Sequence, residues 1–105
     1  MKYITVFCTV PDSASAETVA LAAVESKAAA CASIVPSLTS IYRWKGEICR
    51  SSELLLVMKT EKILFPQLKE LILSLHPYEL PEIVTLDITE GHEPYLAWIS
   101  DSTRP

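Results

Sequence analysis

Residues 2–10 alternate, with Ile4, Val6, Cys8 and Val10 on one side and Tyr3, Thr5, Phe7 and Thr9 on the other. A period of two predicts a strand, and both of its faces can be buried. Pro11-Asp12-Ser13 ends it and offers Asp12 or Ser13 as a helix N-cap. The alanine-rich stretch from there to about Ala30 is expected to be helical, with Val19, Ala20, Ala23 and Val24 as its inward stripe. Residues 31–43 predict a long strand bent or bulged at Pro36. Trp44-Lys45-Gly46-Glu47 predicts a hairpin turn, and residues 48–60 return as a second long strand containing the apolar run LLLVM. A second helix is expected over Glu61–Leu75, with Leu64, Leu68, Leu71, Ile72 and Leu75 on one face and Pro66 in the first turn. A last strand over 82–90 and a short terminal helix starting in PYLAWI complete the chain.

The predicted order is βαββαβ, the split-βαβ pattern of an α+β, ferredoxin-like fold, in a single domain over residues 1–105. The strands over 2–10 and 54–58 are apolar on both faces, and such strands are covered on both sides. The helices of this pattern cover one side only. A partner subunit is the expected second cover, which predicts an obligate homo-oligomer. Composition strengthens this: half of the 105 residues are hydrophobic, more than one small core uses.

Charge removes several classes of function. The net charge is −4 with both signs interspersed, which points away from nucleic acid and from anionic membrane surfaces. No run approaches the ~20 apolar residues of a membrane span. The opening MKYITVFCTV reads as a strand rather than a signal peptide, so the cytoplasm is the expected compartment. Cys8, Cys31 and Cys49 lack C-x-x-C spacing, and an odd count reads as free thiols.

Only two glycines, Gly46 and Gly91, are present, too few for a glycine-rich phosphate loop. No serine sits in a nucleophile elbow. Glu79, Glu82, Asp87, Glu90 and Glu93 cluster late in the chain, where acidic residues around turns read as a solvated face. The stock for a metal is His76, His92 and the three cysteines, none at helical ligand spacing. His76 therefore has two readings. It is a helix C-terminal residue stopped by Pro77, or it is a ligand brought to a thiol by the fold.

SIYRWKGEI at 40–48 and HPYELPEI at 76–83 resemble the CutA divalent-cation tolerance family, supported by FCTVPD, AAACASI and GHEPYLAWI. The resemblance covers essentially the whole chain. It implies a homotrimer, with the 31–60 hairpin reaching neighbouring subunits, and an architecture similar to PII-type signalling trimers. It also implies a relation to copper or another divalent cation without catalysis, with His76 and Cys8 as the candidate ligands. In two departures, Ser33 stands where the family commonly has asparagine, and Leu75 stands where some members carry a second histidine. Tyr42, Trp44, Tyr78 and Tyr95 are the candidate aromatic walls of an interface or ligand cleft, with Glu53, Glu82 and Lys59 as its charged groups. A PII-like cleft for a small polar metabolite and an assembly or anchoring subunit are the alternatives.

Overall fold

The computed structural model describes residues 2–105. Its elements are β1 (Tyr3–Val10), α1 (Ser13–Glu25), β2 (Cys31–Trp44), β3 (Glu47–Glu61), α2 (Phe65–Leu75), β4 (Val84–Asp87) and α3 (Glu93–Ser102), with a 3-10 turn at Lys62–Leu64 before α2. The four strands form one sheet in the order β2-β3-β1-β4, with every neighbouring pair antiparallel. This is an α+β arrangement with the predicted element order.

The alternation in β1 sets the core. Ile4, Val6, Cys8 and Val10 face inward with Leu56 and Met58 of β3, and α1 and α2 close over them through Ala16, Val19, Ala23, Leu68 and Ile72. Small side chains on α1 let the helix lie close to the sheet, while Leu68 and Ile72 fill the remaining depth. Thr60 is buried among these groups because its hydroxyl donates to the Ala28 carbonyl at 2.7 Å.

Several boundaries differ from expectation. The first helix stops at Glu25 rather than near Ala30. Ser26 caps it, with its hydroxyl donating to Ala23 O, and Lys27 then turns left-handed (φ 65°). The stripe shifts accordingly, and Val24 is exposed while Ala16 is buried. Asp12 is the N-cap and accepts the Ser15 N–H at 2.7 Å, which holds its carboxyl below the usual range. The second helix begins at Phe65, because residues up to Glu61 continue the strand opposite Tyr3. Within its expected apolar face, Leu75 is exposed. The last strand contracts from 82–90 to Val84–Asp87, where it pairs with Ile4–Phe7 alone.

The hairpin is longer than the sheet that carries it. β1 pairs with β3 from Leu54 to Glu61, so residues 47–53 of β3 pair only with β2. The result is a projecting two-stranded ribbon, roughly 23 Å long at ~3.3 Å per residue, on a molecule measuring 44 × 25 × 23 Å. The register shifts between Val35 and Leu38, the bulge that Pro36 predicts. At the tip both Lys45 (φ 51°) and Gly46 (φ 80°) are left-handed, as a two-residue hairpin turn requires.

The other sheet face is partly covered within the subunit. Paired strand residues point the same way, so Tyr3, Glu61, Lys59 and Cys31 share this face. Here α3 packs at one end: Tyr3 and Ser100 hydroxyls meet at 2.7 Å, Ser100 donates to Glu61, and Cys31 lies 3.6 Å from the Tyr95 hydroxyl. The expectation that only a partner could cover this face is corrected by α3.

Candidate functional site

His76 is the C-cap of α2, and its N–H donates to Ile72 O at 2.8 Å. Pro77 forces the residue before it out of helical geometry, and His76 is extended (ψ 134°). This turn aims the ring inward, leaving the residue 9% exposed. Nδ1 lies 3.1 Å from the Tyr78 backbone N–H, a donor, so Nδ1 accepts. The ring proton therefore sits on Nε2 and is donated to the Thr9 carbonyl at 2.7 Å. The ring centroids of His76 and Tyr78 are 4.8 Å apart, and the Tyr78 hydroxyl donates to Glu53 Oε2 at 2.7 Å. One connected network thus ties β1, the end of α2, the following loop and β3 together.

Two titrations reflect that packing. Burial pushes the Cys8 thiol up to about 12, with the Glu82 and Glu53 carboxylates adding to the shift. Burial and the hydrogen bond to Glu53 likewise push the Tyr78 phenol up.

Above the network, a groove of about 690 Å³ runs between the hairpin ribbon and the loop after α2. Tyr42 and Trp44 come from the ribbon, Glu53 from the root of β3, and Tyr78, Glu79 and Glu82 from the loop. Register explains the first three: Leu38 opposite Glu53, Ser40, Tyr42 opposite Cys49 and Trp44 opposite Glu47 share one ribbon face. The Tyr42 hydroxyl is fixed by Ser51 at 2.8 Å.

Five of the seven predicted interface and ligand residues meet in this groove: Tyr42, Trp44, Glu53, Tyr78 and Glu82. Lys59 and Tyr95 do not. They lie at the far end of the sheet, where Lys59 sits opposite Cys31 and Tyr95 bonds the Cys31 thiol and stacks on Trp98 at 5.4 Å. The hydrogen bond to Cys31 raises the Tyr95 phenol's pKa. Of the expected metal pair, His76 has both ring nitrogens already engaged and Cys8 is buried in the core, so neither presents an open donor in this arrangement. No group of three or more His, Cys, Asp or Glu side chains among the described residues is arranged to hold a metal. Thr9 and Glu79 were missed as site residues. Thr9 acts through its main-chain carbonyl, which no side-chain pattern reveals, whereas the late acidic cluster did contain Glu79.

The model of the CutA1 divalent ion tolerance protein family matches residues 4–102. The chain belongs to the CutA1 family. The divalent-cation tolerance protein CutA of Thermus thermophilus is 53% identical over 98 residues, covering 93% of this chain and 95% of that one. A solved CutA1 structure from Thermus thermophilus superposes with a TM-score of 0.95 at 51% identity, covering 97% and 99% of the two chains. A Xylella fastidiosa CutA structure gives 0.96 at 33% identity, covering 99% and 100%. Protein CutA of Mus musculus is 43% identical over 93% of this chain, which spans only 55% of the mouse protein. The CutA1 match covers every element from β1 to α3, including the residues that line the groove.

Proposed function

We infer that this CutA1 chain works as a homotrimeric, non-catalytic protein of divalent-cation tolerance, in the cytoplasm. The observation that carries the assembly is the projecting ribbon. A two-stranded ribbon is marginal alone in water, and this one exposes Ile41 and Ile48 at 60% and 64%. Edge strand β4 adds exposed Val84 and Leu86. Neighbouring subunits supply the missing cover, and three copies is the number the family resemblance implies. A non-catalytic role is supported by the network beneath the groove, where both ring nitrogens of His76 are occupied and Cys8 is buried in the core.

The relation to divalent ions rests on the family description. Copper or another divalent cation is bound weakly. The cytoplasmic assignment rests on three free cysteines, and relatives carry the names "periplasmic" and "chloroplastic", so cell fractionation is its direct test. Sedimentation equilibrium at micromolar concentration is expected to return three chains per particle, and a compact monomer would remove the assembly. Titration of copper and zinc into wild type and His76→Ala is expected to give equal, weak affinities. A tenfold loss in the variant would restore His76 as a ligand.

A further inference from the structure

Two opposite charges in β3 lack partners within the chain. Glu53 is 7% exposed, the one buried side-chain carboxylate among the described residues. Lys59 is half-buried, whereas the other described lysines and arginines are exposed. Neither forms an ion pair among the described residues. Tyr78, a neutral phenol, engages only Oε2 of Glu53. A charge withdrawn from water without a partner is costly.

Both charges lie on one face of the sheet. Odd-numbered residues of β3 point the same way, so Glu53, Leu55, Val57 and Lys59 share the face that α1 and α2 leave bare. Val35 stands opposite Leu55, Phe7 opposite Val57, and Val84 opposite Phe7. Val35 and Val84 are 41% and 51% exposed. The result is an apolar strip with an acid at the ribbon end and a lysine at the α3 end. Glu53 and Lys59 are separated along β3 by roughly 20 Å at ~3.3 Å per residue, too far to meet within a chain.

That layout suits the closure of a ring. An isologous contact belongs to a two-fold axis, so each interface of a trimer joins two different patches. An acid at one end of the strip and a lysine at the other supply two such patches, and the apolar side chains between them fill the contact. Lys59 has already lost part of its hydration, so pairing desolvates it less than it would an exposed lysine or arginine.

Given the trimer inferred above, we propose that Glu53 of each subunit forms an ion pair with Lys59 of the partner subunit, one such contact at every interface. Tyr78 holds the carboxylate through Oε2 and leaves Oε1 to the ammonium.

A double-mutant cycle on the full chain tests this contact, with Glu53→Gln, Lys59→Met and the double variant. Sedimentation velocity in graded urea reads the midpoint of trimer dissociation. Residues more than about 10 Å apart affect stability additively, so coupling between these two reports a contact across subunits. Each single variant should lower the midpoint, to the extent of an assembly weakened about tenfold or more. The double variant should fall no further than the worse single, and Lys59→Arg, which keeps the charge, should stay near wild type. If Glu53→Gln does not fold, Glu53→Asp takes its place in the cycle. Additive shifts, or singles with unchanged midpoints, overturn the contact. Coupling of Glu53→Gln to Arg43→Met instead would give the carboxylate to a cation of the groove and overturn it as well. A monomeric wild type would remove the trimer itself, whereas a trimer with additive shifts removes this contact alone.

Discussion

At the scale of single residues, Cys8 and His76 are tied into the core and its hydrogen-bond network. An unfolded cysteine ionises near 9.0, but in the folded chain Cys8 does so only near about 12, mainly because of burial. Between those values the folded state keeps a proton that the unfolded state has lost. The contribution of Cys8 is therefore complete below pH 9 and disappears as pH rises toward 12. Denaturation midpoints should fall across that alkaline window, and Cys8→Ala should show a shallower fall. Iodoacetamide at pH 8 should label Cys31 and Cys49, which are partly exposed, and spare Cys8 until the chain unfolds. His76→Ala leaves the Thr9 carbonyl and the Tyr78 N–H without partners. Such a loss costs about 1–3 kcal/mol, measurable by urea titration; an unchanged midpoint would mean that water replaces both bonds freely.

At the scale of elements, the hairpin shows what pattern reading captures. Trp44-Lys45-Gly46-Glu47 marks the turn and Pro36 marks the bulge, because both are local consequences of backbone sterics. The left-handed Lys45 is the turn's strained residue. Lys45→Asn suits the left-handed region better and should stabilise the protein by about 0.5–1 kcal/mol per chain. A lower melting temperature would instead show that Lys45 matters through its contact with Trp44. The ends of α1 and β4 are less legible. The capping hydroxyl of Ser26 and the short pairing partner of β4 are decided by tertiary neighbours, which periodicity does not contain. The same holds for the site. Tyr42, Trp44 and Glu53 can be grouped because they share a ribbon face, but Lys59 does not join them because its distance along β3 from Glu53 carries it to the α3 end.

At the scale of the whole molecule, assembly and stability are one question. If subunits cover one another's ribbons, dissociation exposes Ile41 and Ile48 and weakens the ribbon in the same step. The apparent melting temperature should then climb with protein concentration by mass action. A temperature constant over a hundredfold dilution would indicate a ribbon that stands without neighbours. Trp44→Ala should lower both particle mass and melting temperature, whereas Trp98→Ala, on partly exposed α3, should be milder.

The sheet order also has a consequence in time. β1 lies between β3 and β4, so the earliest strand of the chain pairs only with two strands made later. At ~5–20 residues per second of synthesis, about 80 residues separate β1 from its β4 partner, or roughly 4–16 s. Throughout that interval the strand bearing Ile4, Val6 and Val10 is a nascent segment with at least one open edge. Its safety on the ribosome depends on α1, the one structural neighbour that emerges directly after it.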